Sequence, residues 1–274
     1  MNLVIGAILV VVVTAITVTA MLLVRRRAPE GSYFRDGDRA AGVFGVLATG
    51  FSVLLGFIIV IVFQSFDQSV SGAEAEATIV SHQVETAQFM PADAVDDLTG
   101  QLVCYARSVV GPEWKALEAG TLGDAINPWS AELYRTIRAV EPQTAAEQSA
   151  YDRWMDQTGE REQARLDRVH GAEGLIPAPL WIILFVLFGV IIVFMLFFAD
   201  PGEGAVTQGM LMGSITAALT MLLLLLVHFN DPHGGGVGQL QPTAMERTLR
   251  MIDAELVVAG LELNPPCDDD GTAR

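Results

Sequence analysis

Residues 41–63 read AGVFGVLATGFSVLLGFIIVIVF, 23 residues without one charged side chain. At about 1.5 Å per residue, a helix of this length crosses the ~30 Å hydrocarbon core of a bilayer. Blocks of the same kind occupy residues 3–24, 177–199 and 206–229. The runs are continuous rather than alternating over about ten residues, which excludes a membrane β-barrel. Hydrophobic residues make up 51% of the 274-residue chain and charged residues 18%, which excludes a soluble globular enzyme. The expected fold class is an all-α integral membrane protein. Four transmembrane helices carry a helical soluble insertion between spans 2 and 3.

The water-facing remainder is acidic, with 32 Asp and Glu against 16 Lys and Arg and a net charge of −16. That argues against nucleic acid or anionic lipid as its main partner. The distribution is uneven. The loop 25–40 holds five basic residues (Arg25, Arg26, Arg27, Arg35, Arg39) against three acidic ones, whereas residues 64–175 carry −11 and residues 230–274 carry −5. Basic residues in short loops beside spans stay on the cytoplasmic side. The 25–40 loop is therefore expected in the cytoplasm, with the insertion and both termini outside. Residues 3–24 read as a retained span rather than a signal peptide. The run is longer than an h-region, no basic segment precedes it, and Arg25-Arg26-Arg27 follows.

Span 2 is expected to continue past the membrane. Asp67, Ser71, Glu74, Thr78, Ser81 and Glu85 recur at helical spacing against Phe66, Val70, Ala73, Ala77, Val80 and Val84, so one helix runs from about 41 to 90 and stops at Pro91. Asp93 is expected to cap the next helix, which breaks at Gly111-Pro112. Asn127-Pro128 opens a short helix to Val140. Thr144 with Glu147 forms a capping-box pattern opening a helix to about His170, and Thr243 with Glu246 repeats it for a tail helix near 243–260. Residues 264–274 are expected to be disordered.

Several stretches taken together resemble one family. They are Leu22-Leu-Val-Arg-Arg-Arg-Ala-Pro29, Val53-Leu-Leu-Gly-Phe57 followed by Glu74 and Glu76, Tyr105-Ala-Arg-Ser-Val-Val-Gly-Pro-Glu-Trp114, Ile176-Pro-Ala-Pro-Leu-Trp181, and Asn230-Asp-Pro-His-Gly-Gly-Gly236. In this order they are similar to the bacterial "bestrophin-like" membrane proteins, over nearly the whole chain. True bestrophins, which the chain resembles distantly, are pentameric anion channels with four spans and a cytosolic helical domain between spans 2 and 3. The resemblance thus implies self-association, a pentamer if the likeness extends that far, and inorganic ions as partners. Two features depart from it. The arginine loop argues for an external domain. In place of the Asn-Pro-Phe-Gly segment with its acidic calcium-binding cluster stands Asp231-Pro232-His233-Gly234, without the phenylalanine or the acidic run.

Candidate functional residues concentrate on span 2. Gly42, Gly45, Thr49, Ser52 and Gly56 form a stripe of small side chains, which permits either close helix packing or a pore-facing line. Gly209, Gly213, Thr216 and Thr220 form a second stripe on span 4, where packing is the favoured reading. Asp67, Ser71 and Glu74 would form acidic rings around the axis of an oligomer and favour cations; the bland alternative is a solvated helix face. His228, Asp231 and His233 are weak metal-ligand candidates beside the reading that they merely end span 4. Cys104 and Cys267 either form a bridge in an oxidising space or stay free, Cys104 buried and Cys267 in the tail. Trp114, Trp129 and Trp154 are expected to pack the insertion, Trp181 to anchor span 3 at the interface, and His82 to be exposed. No nucleotide loop or nucleophile–base spacing occurs, so no cofactor and no enzymatic activity is expected. Two functions remain. One is a homo-oligomeric, cation-leaning channel with helix 2 lining the pore. The other is a non-conducting membrane scaffold or sensor whose acidic domain binds a partner or divalent ion.

Overall fold

The computed structural model describes residues 3–121, 127–172, 174–259 and 263–274. Among them the structure is helical, with no strand and one isolated antiparallel bridge, Cys267 to Ala273. The helices are α1 (Leu3–Arg25), α2 (Gly37–Ala87), α3 (Ala92–Ser108), α4 (Trp114–Glu118), α5 (Pro128–Ala139), α6 (Ala145–Val169), α7 (Ala178–Phe197), α8 (Ala205–Asn230) and α9 (Thr243–Ala259). Four of them, α1, α2, α7 and α8, are long and apolar enough to cross a membrane. The chain divides into two compact units. The first holds the chain up to Gln64 with Gly174–Asp231 and Gly236–Gly238; the second holds Ser65–Glu173, Pro232–Gly235 and Gln239–Arg274.

The first unit is a helix bundle whose outward side chains are apolar, as hydrocarbon surroundings require. Its core joins Met21, Phe51, Leu55, Ile58, Leu184, Ile191 and Leu226. The small residues of α8 meet α1 closely: a Cβ on Gly209 or Gly213 would sit 3.4–3.6 Å from Thr14, Val18 and Met21. Thr216 and Thr220 are buried on α8, so the span 4 stripe is a packing seam. At the α8 end, Asn230 Oδ1 accepts from the backbone N–H groups of Leu175 (3.0 Å) and Ile176 (2.8 Å), tying down the entry to α7. Trp181 stacks on Phe185 near the start of that helix.

In the second unit α3, α5, α6 and α9 pack with the α2 residues beyond Gln64. Leu98, Leu102, Tyr105, Leu133, Trp154 and Ile252 belong to one core. Trp129 and Trp154 lie in it, and Trp114 is buried in a smaller cluster with Leu117. Asn127 caps α5 through Trp129 N–H (3.0 Å), and Thr144 with Glu147 closes a reciprocal capping box on α6.

Four local expectations are corrected. The chain does not break at Gly111-Pro112: a π-turn, Val109–Glu113, carries it from α3 into α4, because the wider turn accommodates a proline that has no N–H to give. Pro91, not Asp93, precedes the first residue of α3, which places Asp93 inside the first turn. Thr243 is already helical, and Glu246 N–H bonds to the Pro242 carbonyl instead of completing a box; Gly260, the last residue expected in that helix, lies outside the described residues. Residues 264–274 are held in place rather than loose. Cys267 is bonded to Cys104, Trp129 Nε1 donates to Gly271 O at 2.7 Å, and Gly271, at φ +78°, lies so close to α3 that a Cβ would fall 2.3 Å from Ser108 N.

Candidate functional site

The α2 stripe behaves unlike the α8 stripe. Gly42, Gly45, Thr49, Ser52 and Gly56 are all exposed, and a Cβ on any of the three glycines would meet nothing within 4 Å. No part of the described chain packs on this line of small side chains. Val60 and Phe63 follow at the same spacing and are half exposed.

Within the second unit, α2 presents two different faces. Asp67, Ser71 and Glu74 are exposed, as is His82. Ser69, Gly72, Glu76 and Gln83, spaced three, four and seven residues apart, are buried against α6. Gly72 marks the closest approach, where a Cβ would lie 2.4 Å from Arg168 N. That proximity lets Glu76 reach α6. Arg168 Nε donates to Glu76 Oε2, and Arg168 Nη2 donates to Glu76 Oε1 (3.3 Å) and to Glu113 Oε2 (2.6 Å). Arg165 reaches Glu113 Oε1 through Nη2 at 2.6 Å, and the Tyr105 hydroxyl donates to Glu76 Oε1. Arg161 lies over the Tyr105 ring at 4.8 Å and donates to Gln83 Oε1 at 2.7 Å.

This is a buried ionic network, since Glu76, Glu113, Arg161, Arg165 and Arg168 are each at least nine-tenths excluded from solvent. Burial works against the charge on Arg168, but the Glu76 and Glu113 carboxylates outweigh it and raise its pKa. Burial, then the Glu76 charge, pushes the Tyr105 hydroxyl well up, so it stays a donor. Sequence reading missed the network. Its signal was the row Trp154, Gln157, Arg161, Arg165, Arg168 at steps of three and four along α6, which puts three arginines on the same face as a tryptophan.

The three weak metal candidates do not assemble. His228 and Asp231 belong to the first unit, while His233 is buried in the second with its ring edge-on to Trp114 at 5.6 Å. Burial, followed by the nearby Arg168 charge, pushes the His233 pKa down to about 4, so the ring is neutral. Among the described residues no group of three or more His, Cys, Asp or Glu is placed to hold a metal ion. Cys104 and Cys267, 163 residues apart, are both fully buried and disulfide-bonded, with Cα atoms 5.8 Å apart.

The arrangement of four apolar helices with a helical unit inserted after the second is matched in known proteins. The Bestrophin-like domain fits residues 10–245 of the chain. The chain belongs to the bestrophin-like family. Solved structures agree at the level of the fold. A bacterial bestrophin homologue from Klebsiella pneumoniae superposes with a TM-score of 0.63 at 15% identity, covering 95% of this chain and 100% of that one. A point variant of the Klebsiella homologue gives a TM-score of 0.64 at 13% identity over 89% and 95% of the two chains. No curated protein matches the sequence. The bestrophin-like fold thus accounts for the helix order.

Proposed function

We propose that this bestrophin-like protein is a homo-oligomeric ion channel in which α2 lines the axis. The observation that carries the reading is the uncovered stripe Gly42, Gly45, Thr49, Ser52, Gly56. Small side chains left without a neighbour suit either a lumen or a helix from another copy, and both require an oligomer. A pentamer is the state suggested by the likeness to bestrophins. Val60 and Phe63 narrow the stripe and supply a hydrophobic constriction that gates by dewetting. Asp67, Ser71 and Glu74 follow as exposed rings of acid and hydroxyl, which concentrate cations and repel anions.

Sidedness is part of the proposal. A buried disulfide in the second unit suits an oxidising compartment, and the arginine loop suits the cytoplasm. The second unit and the tail are therefore assigned to the outer face of a bacterial cell membrane. Maleimide labelling of a cysteine placed at position 35 from outside intact cells would reverse this orientation.

Reconstitution into liposomes with ion-flux and bilayer recordings tests the function. Conductance with cations preferred is expected, and Asp67→Asn with Glu74→Gln is expected to lower that preference. A folded oligomer that conducts no ion under any gradient would leave the scaffold reading in its place.

A further inference from the structure

The first unit holds an open cavity of about 360 Å³ at its arginine-loop end, lined by no residue of the α2 stripe. Its polar wall offers acceptors. Asp200 uses one carboxylate oxygen, Oδ1, to accept from the backbone N–H groups of Gly31 (3.2 Å) and Gly202 (2.7 Å). Its Oδ2 and the Glu203 carboxylate take no donor among the described residues. Gln208 is 7% exposed, and its buried Oε1 has no hydrogen-bond partner. The adjacent cation, Arg25, is already committed: it donates to the backbone carbonyls of Asp200 (3.0 Å), Pro201 (3.0 Å) and Glu203. The rest of the wall is apolar and includes Phe198, Leu211 and Met212.

Each part of this wall specifies part of an occupant. A buried amide oxygen needs a donor. Two carboxylates that form no ion pair among the described residues favour positive charge, and a charged donor makes the stronger bond. The apolar wall, at the end of the spans, favours hydrocarbon. Arg26, Arg27 and Arg35 in the flanking loop are exposed and form no ion pair among the described residues, which leaves them free for a phosphate. We propose that this cavity binds the primary ammonium headgroup of an aminophospholipid. The three N–H donors go to Asp200, Glu203 and Gln208, the phosphate to the arginine loop, and the acyl chains lie along α8. Phosphatidylcholine presents a quaternary ammonium with no N–H and leaves the Gln208 acceptor unpaired. Phosphatidylglycerol brings no positive charge.

The site stands independently of the conduction proposed for α2, so its test reads lipid binding alone. Full-length protein in detergent is titrated with phosphatidylethanolamine, phosphatidylcholine and phosphatidylglycerol of identical acyl chains, followed by native mass spectrometry and thermal unfolding. Phosphatidylethanolamine is expected to bind about tenfold more tightly than the other two, the difference made by one or two charge-assisted hydrogen bonds. Glu203→Gln with Gln208→Leu is expected to bring the three lipids within about twofold of one another. Glu203 is exposed on a turn, so Glu203→Gln alone carries the test if the double variant does not fold. Three outcomes overturn the proposal. They are equal binding of the three lipids by the wild type, an unchanged preference in the variant, and protection by sodium or calcium without lipid. Competition by water-soluble phosphoethanolamine at the same concentration as the lipid would also overturn it, by giving the site to a free amine.

Discussion

Glu76 of α2 and Arg168 of α6, 92 residues apart in sequence, meet through two hydrogen bonds inside the second unit with 1% or less of either residue exposed. The same guanidinium reaches Glu113, so one cation ties α2, α6 and the π-turn together. Replacing such a set with apolar side chains is often harmless, but removing one partner strands a buried charge. Arg168→Leu is therefore expected to destabilise the second unit by about 3–5 kcal/mol. Glu74→Gln, two residues away on the exposed face, should change stability by no more than about 0.5 kcal/mol. Thermal unfolding of both variants in detergent checks the contrast.

Glycines on the two sides of α2 are predicted to respond oppositely to alanine. Gly72→Ala drives a methyl into the α6 backbone, with Arg168 N at 2.4 Å, and is expected to cost about 1–3 kcal/mol. Gly45→Ala and Gly56→Ala meet no atom within 4 Å, and the helix gains from alanine, so the protomer keeps its stability or improves by up to about 1 kcal/mol. Oligomer yield or conductance should change instead. Unfolding midpoints paired with size-exclusion profiles separate the two effects.

The helix plan was legible because hydrocarbon imposes it. Blocks at 3–24, 177–199 and 206–229 return as α1, α7 and α8 within two residues at each end. Reading span 2 as one helix past the membrane also matches α2, which ends at Ala87. Periodicity placed Asp67, Ser71 and Glu74 on an exposed face correctly, but it has no means of assigning Glu76. A carboxylate counts as polar in any pattern, and its burial depends on Arg168 arriving from another helix. The tail failed for a related reason. Asn264 to Arg274 has the composition of a disordered segment, and what holds it is a bond to Cys104 and a glycine fitted against Ser108. Neither is a local property of the tail.

Acid is expected to weaken the second unit through His233. Its folded pKa is about 4, below the ~6.5 of an unfolded histidine. The folded state therefore binds fewer protons between these values. The stability is fully present above about pH 6.5 and is lost as pH falls towards 4. Going from pH 7 to 5 should cost about 2 kcal/mol through this group, and His233→Gln should remove that part of the slope. Unfolding midpoints of wild type and variant at the two pH values decide it, and parallel slopes would reject the assignment to His233.

Arg247 is predicted to temper the acidic face of α2. It lines a cavity of about 360 Å³ together with Glu74, His82 and Glu85. The helix that carries it is firmly seated, with Met245 and Ile252 buried and Thr248 Oγ1 donating to Ala77 O at 3.0 Å. Arg250, one turn on, is paired with Glu246 of its own helix, whereas Arg247 is exposed and forms no ion pair among the described residues. A guanidinium that shares a cavity with two carboxylates offsets part of their field, an effect that salt screens over a Debye length of ~8 Å at physiological strength. If α2 lines a conducting axis, Arg247→Gln should raise the preference for cations, and most strongly at low salt where screening is weakest. In the Glu74→Gln, Glu85→Gln background the same change should have little effect, because the two carboxylates beside Arg247 are gone. Reversal potentials under a potassium chloride gradient measure both. An increase of equal size in both backgrounds would mean that Arg247 acts on the permeating ion directly and not through these two carboxylates.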